Sequence, residues 1–214
     1  YSNGVKGMGV APYSKFNSEK AWKEALLKGV DDLNANHSMI VYSYGKKVGR
    51  GPWRFESNYA IRSFLDTAQV RVVDSARWKG RAFVLIEPTN AVPDSTIYPN
   101  QKYRTLEKST FSSSGISRAD EGWLHSTGAT PRIDSNWFMS FSKAKQDALR
   151  RLAEYLATQV STETYSKNNV TRQYSSFSSM FAFQRIKVLN RSFTPDSVKV
   201  EIAVKPHEVK KLME

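Results

Sequence analysis

The sequence predicts an α+β fold in which one β-α-β-α-β-β unit is used twice, with helices packed on mainly antiparallel sheets. Three observations predict it. Val5-Lys6-Gly7-Met8-Gly9-Val10-Ala11-Pro12, followed by Lys20-Ala21-Trp22-Lys23-Glu24-Ala25-Leu26, is echoed by Ser126-Thr127-Gly128-Ala129-Thr130-Pro131 and Lys143-Ala144-Lys145-Gln146-Asp147-Ala148-Leu149. The closing stretches 70–75 and 82–88 are echoed, in the same order, by 186–191 and 200–206. The separations drift little: 119 residues from Pro12 to Pro131, 123 from Ala21 to Ala144, 116 from Val70 to Ile186 and 118 from Pro88 to Pro206. Order is kept and only loop lengths change, as expected of an internal repeat. The division that follows is a first unit over 1–88, a connector over 89–122, a second unit over 123–206 and a tail over 207–214.

The first unit opens with a Gly-interrupted strand over 6–11 and a turn at Pro12. Asn17 or Ser18 is placed to cap the next helix, with Glu19 near its positive end. Trp22, Ala25, Leu26, Gly29, Val30 and Leu33 recur at helical spacing, while Lys23, Lys28, Asp31 and Asp32 fall elsewhere on the wheel. A strand over 39–44 ends at Gly45, and 59–67 reads as a second, shorter helix. Strands over 68–74 and 81–87 close the unit as a hairpin around Trp78-Lys79-Gly80.

The second unit repeats the order. Its helix covers 142–159, with the stripe Ala144, Ala148, Leu149, Leu152, Tyr155 and Leu156. A strand over 160–165 follows, and Phe177, Met180, Phe181 and Phe183 take the place of the second helix. Thr194-Pro195-Asp196 makes the last hairpin turn.

The two closing strands differ. Apolar and mostly polar residues alternate over 198–204, as on a strand with one packed and one wet face. Over 82–86 both faces are apolar, so Phe83 and Leu85 need a cover. Either the rest of this chain supplies it, or these two residues form an interface with a partner subunit.

The connector is rich in Ser, Thr, Pro, Asn and Gly, and a segment this long with little periodicity is unusual inside a compact domain. Tyr98, Tyr103, Phe111 and Trp123 argue that parts of it dock, around a loose middle. With 214 residues, 40% hydrophobic and 24% charged, each unit has enough chain for a core. No apolar run approaches the roughly 20 residues that span a bilayer. The abrupt start at Tyr1 suggests a processed or trimmed form.

Cysteine is absent, which excludes disulfides, thiolate zinc sites and thiol nucleophiles in this sequence. His37, His125 and His207 lie in different elements without metal-ligand spacing, so no metal site and no cofactor is expected. The run Gly45-Lys46-Lys47-Val48-Gly49-Arg50-Gly51 lacks the order of a phosphate-binding loop. Gly7-Met8-Gly9 is too short for a dinucleotide fingerprint and is better explained by close helix packing. The acidic pairs Asp31-Asp32 and Asp120-Glu121 read as solvated surface, and no residue is assigned a catalytic role.

Lys and Arg outnumber Asp and Glu by 32 to 20, a net charge of +12 that favours acidic partners. The candidate contact residues are basic and aromatic: Lys46, Lys47, Arg50 and Trp53, with Arg54 and Phe55, in one stretch, and Arg71, Arg77, Trp78, Lys79 and Arg81 around the hairpin. Interleaved cations and rings can stack on bases or sugars while contacting phosphate. The competing reading is that Trp53, Phe55 and Trp78 anchor loops to the core while the cations are solvated.

The strand carrying Gly7, Gly9 and Ala11, the helix motif Lys20, Ala21, Ala25 and Leu26, and the closing Val70, Val72, Asp74 and 82–88 resemble the flagellum-associated outer-membrane lipoprotein family, which includes flagellar proteins P and T and small surface-lipoprotein relatives. In the second unit Gly128, Ala129, Ala144, Ala148, Leu149, Ile186, Val188 and 200–206 carry the likeness, with one strand glycine lost. The resemblance implies a non-enzymatic envelope scaffold or assembly protein in the periplasm or outer membrane of a bacterium, exported by a targeting segment outside this sequence. Its implied partners are envelope proteins or further copies of itself, an acidic polymer or an anionic membrane surface. This chain departs from the family in doubling the module and in having no cysteine to lipidate. The alternative is a basic nucleic-acid-binding protein using the basic-aromatic loops. A third reading is an enzyme with its site between the units and no recognisable motif.

Overall fold

The computed structural model describes residues 5–48, 54–90, 116–118, 122–168 and 174–213. Among them, eleven strands form three sheets, all pairings antiparallel, with two α-helices. The chain is therefore mixed α+β, as the sequence predicts.

The first sheet has strand order β1-β5-β4, built from β1 (Gly7–Pro12), β4 (Val70–Trp78) and β5 (Arg81–Pro88). Helix α1 (Ser18–His37) lies over β1 and β5. Its Ala21, Ala25 and Leu33 pack on Val84 and Ile86 to form one core cluster. The second sheet has order β6-β7-β10-β9, from β6 (Ile116–Arg118), β7 (Leu124–Pro131), β9 (Lys187–Phe193) and β10 (Ser197–Val204). Helix α2 (Trp137–Asn168) lies over β7 and β10 and also touches β1, β2 and β8.

The third sheet, β11-β8-β2-β3, joins the two ends of the chain's order: β2 (Ser38–Val48), β3 (Arg54–Ile61), β8 (Tyr174–Gln184) and β11 (Val209–Met213). Its central pair runs from Ser38 opposite Gln184 to Val48 opposite Tyr174. Met39, Val41, Phe181 and Phe183 on this pair join Leu149, Leu152 and Ile202 in the larger core cluster.

Glycine decides how closely the helices lie on the sheets. A Cβ on Gly9 would sit 1.7 Å from the Ala25 carbonyl oxygen, and one on Gly128 would sit 2.0 Å from that of Ala144. These two crossings are separated by one distance in sequence, since 128 − 9 and 144 − 25 are both 119. The helix starts at Ser18 and Trp137 obey the same spacing (137 − 18 = 119). The motif match that sets Ala21 against Ala144 is thus one helical turn out of step, and Ala25 occupies the equivalent crossing. The closing hairpins agree at another spacing: Val73 and Leu189 are the extra residues of bulges opposite Ile86 and Ile202, and 189 − 73 and 202 − 86 are both 116.

Four expected elements differ. The helix expected over 59–67 is strand β3 followed by a short 3-10 turn, Thr67–Gln69. Ser57 and Tyr59 are half-buried while Glu56, Asn58 and Ala60 are exposed, a period of two, and the Tyr59 hydroxyl donates to the Gln146 carbonyl on α2 at 3.0 Å. The strand expected over 160–165 is the continuation of α2. The helix expected around Phe177 to Phe183 is strand β8, because aromatic residues suit a pleated surface and β2 offers an eleven-residue ladder. The tail expected over 207–214 contains β11, which pairs with β8.

Other boundaries move less. Strand β2 runs through Gly45 to Val48. The hairpins turn at Lys79-Gly80 and at Thr194-Pro195-Asp196, where the Thr194 N–H donates to the Ser197 carbonyl at 2.8 Å. Asn136 caps α2 by accepting from the Met139 N–H at 3.0 Å, whereas Asn17 accepts from Ser14 and closes the turn before α1. Of the connector, residues 89–90, 116–118 and 122 are described, and Trp123 just beyond it is buried; Tyr98, Tyr103, Phe111, Asp120 and Glu121 lie outside the described residues.

Candidate interaction surface

The β4–β5 hairpin turns through two residues of positive φ, Lys79 at 46° and Gly80 at 68°. That pair of angles is what a two-residue hairpin turn needs to match strand twist. The Tyr13 N–H donates to the Gly80 carbonyl at 2.8 Å, tying the end of β1 to the turn.

The hairpin brings Trp78, Arg81 and Phe83 against the second half of the chain. The Trp78 ring lies 5.0 Å from Phe193 and 5.8 Å from Trp137, and Trp137 lies 4.9 Å from Phe193. Phe83 joins them at 6.2 Å from Trp137. Cations cover these rings: the Arg81 guanidinium is 4.5 Å from the Trp137 centroid and the Lys79 ammonium is 4.6 Å from Trp78. Arg81 also donates to the Asp134 carbonyl. Each such contact contributes on the order of 0.5–1 kcal/mol where water reaches it.

The remaining hairpin cations have their own partners. Arg71 donates twice to one Glu87 oxygen, at 2.9 and 2.6 Å. Arg77 donates to the Tyr13 hydroxyl at 3.0 Å, and hydrogen bonds with Ser18 and Arg77 lower the pKa of that phenol. Leu85 is half-buried and pairs in the ladder with Met8 on one side and Asp74 on the other. Phe83 is covered within the chain by Trp137 and packs against the larger core.

Lys46 and Lys47 lie in β2, in a different sheet from the hairpin, and Arg54 and Phe55 begin β3. Arg50 and Trp53 lie outside the described residues. The structure thus gathers Trp78, Lys79, Arg81 and Phe83, sets Arg71 and Arg77 along the neighbouring strand, and places Lys46 and Lys47 on another sheet.

A second polar cluster corrects the reading of Asp32 as solvated surface. Asp32 is buried and accepts from Lys145 at 2.5 Å, from Arg191 at 2.8 Å and from the Met8 N–H at 2.9 Å. Asn36 accepts a second Lys145 bond at 2.6 Å and donates to the Lys6 carbonyl. Burial acts to raise the Asp32 carboxyl, but the two cations outweigh it and hold the group below the usual carboxylate range. Ala21, Ala25, Gly29, Asp32 and Asn36 form a continuous buried stripe on α1, and that spacing was the signal for Asp32.

Among the described residues no three metal-ligating side chains converge, and no α-helix is long and apolar enough to cross a membrane. The chain matches none of the family models, curated proteins or solved structures with which it was compared.

Proposed function

We propose that the chain is a tandem repeat of one α+β unit and serves as a non-enzymatic bacterial cell-envelope scaffold, assembling at the outer membrane or around a flagellar base. The observation that carries the reading is the pair of glycine-on-alanine crossings, Gly9 over Ala25 and Gly128 over Ala144. These residues belong to the pattern on which the resemblance to the flagellum-associated lipoproteins rests. The matched bulges at Val73 and Leu189 support the duplication independently.

The surface offered to a partner is the basic hairpin. Arg71 is neutralised by Glu87 and Arg81 is held by Trp137 and Asp134, whereas Arg77 on the Tyr13 hydroxyl and Lys79 over the Trp78 ring are exposed and pair with no carboxylate among the described residues, so these two are the cations to test. The full gene product, produced in a bacterium and fractionated, is expected to sediment with the envelope. In the Arg77→Glu/Lys79→Glu variant the fold is expected to survive while envelope association weakens. Unchanged association would remove this hairpin from the contact surface. Steeply salt-sensitive binding to unrelated DNA by the wild type, lost in the variant, would replace the scaffold reading with nucleic-acid binding.

A further inference from the structure

We propose that the outer edge of β4, over residues 74–78, receives an extended acidic segment of a partner protein, which joins the β1-β5-β4 sheet as a fourth strand. The inference rests on the interaction reading above and names the partner class for that surface.

Among the described residues no strand pairs with the outer edge of β4, and its face lies beyond the reach of the helix for a geometric reason. Strands lie about 4.8 Å apart and a helix is about 10 Å across, so one helix covers two strands. Helix α1 covers β1 and β5. Every residue of β4 from Arg71 to Trp78 is exposed, with Val72 at 54% and Val73 at 42%.

The edge is also held in strand form without a partner. Val70 packs into the first core cluster at one end, and Trp78 sits in the aromatic cluster at the other. The bulge at Val73 interrupts the ladder, and regular pairing then runs from Asp74 opposite Leu85 to Trp78 opposite Arg81. A segment adding here meets a backbone already ordered, which lowers the entropy lost on binding.

The corresponding edge of the second sheet is used within the chain. Strand β9 is half-buried along most of its length, and its Arg191 reaches Asp32 on α1. The residue 116 positions earlier is Ser75, which is exposed. The side chain on β9 is thus engaged within the chain, whereas its counterpart on β4 faces solvent.

Charge selects the occupant. Arg71 is neutralised by Glu87; the Asp74 carboxylate keeps its charge and accepts from the Ser75 N–H, a local bond that the incoming strand displaces. Arg77 and Lys79 remain as the exposed cations at the regular end of the strand, on a chain of net charge +12. A second copy brings the same charge, and antiparallel self-pairing centred on Asp74 would set Arg71 against Arg77.

The probe is a fluorescein-labelled peptide, Thr-Glu-Val-Glu-Val-Glu-Thr, with two controls: Lys in place of each Glu, and methyl groups on alternate backbone nitrogens. The acidic peptide is expected to bind by fluorescence anisotropy and to slow amide exchange over residues 74–78 at least tenfold. The Lys peptide should not bind, and the methylated peptide and the Arg77→Glu/Lys79→Glu variant should each weaken binding at least tenfold. The proposal is overturned if the peptide leaves β4 exchange unchanged, or if the methylated peptide binds equally well. It is also overturned if β4 amides are protected in the free chain in a concentration-dependent way, which would identify a second copy as the occupant. Peptide failure alongside loss of envelope association in the charge variant would defeat the strand-addition proposal and leave the scaffold reading standing.

Discussion

The Asp32 carboxylate on α1 and the Lys145 ammonium on α2 meet at 2.5 Å with side chains 8% and 3% exposed, across 113 residues of sequence. Arg191 on β9 takes the other carboxylate oxygen, so one buried anion holds two cations from the second half of the chain. Breaking a buried pair leaves uncompensated charge and costs about 3–5 kcal/mol, whereas apolar replacement of the whole group is often neutral. Asp32→Asn is therefore expected to lose about 3–5 kcal/mol in urea unfolding. The triple change Asp32→Leu/Lys145→Met/Arg191→Leu is expected to recover most of that loss.

The same group sets the acid limit. The folded Asp32 carboxyl titrates below its unfolded value of about 3.9, so its stabilisation is complete above that value. It is lost as pH falls from about 4 through the lower folded value. Asp147 acts in the same direction: burial opposes its ionisation, but the Ala129 N–H and the Arg150 and Arg151 charges outweigh burial. Glu154 acts oppositely, since burial raises it. Unfolding midpoints measured from pH 6 downward should fall most steeply below about pH 4, and Asp32→Asn should flatten that fall.

The glycine crossings admit no methyl group. A Cβ 1.7–2.0 Å from a helix carbonyl forces strand and helix apart. Gly9→Ala and Gly128→Ala are each expected to cost about 1–3 kcal/mol or more, read as a drop in thermal midpoint. A Cβ on Gly80 would sit in ordinary contact at 3.9 Å from the Tyr13 carbonyl oxygen, but the position carries a φ of 68°. The cost of Gly80→Ala should reflect backbone strain of about 1–2 kcal/mol instead.

Ser43 and Ser179 face each other in the β2–β8 ladder, both buried, and neither hydroxyl has a hydrogen-bond partner among the described residues. An unsatisfied buried hydroxyl costs about 1–3 kcal/mol. The Ser43→Ala/Ser179→Ala double variant is expected to raise stability by about 1–2 kcal/mol, measured by urea unfolding.

Much of the framework was legible because local pattern and final environment agree. Helix α1, β1 and the two hairpin turns follow from helical spacing, paired glycines and turn residues. Strand β8 was not legible, because its Ser- and Phe-rich run gains its ladder from β2, more than a hundred residues earlier. The far end of α2 escaped for a related reason: Val160 and Thr162 favour strand locally, yet the helix continues. Of the surface, Trp78, Lys79 and Arg81 could be named in advance. Trp137 and Phe193 could not, since they arrive from α2 and β9 and meet the hairpin only in the folded chain.

The two halves of the chain depend on each other, because β2 pairs with β8 and Asp32 pairs with Lys145. Urea unfolding followed by residue-level amide exchange tests this directly. The prediction is one cooperative transition in which β5 and β10 lose protection together, and a fragment of residues 1–90 that does not fold. Two separate transitions, or a folded 1–90 fragment with β2 amides protected, would contradict it.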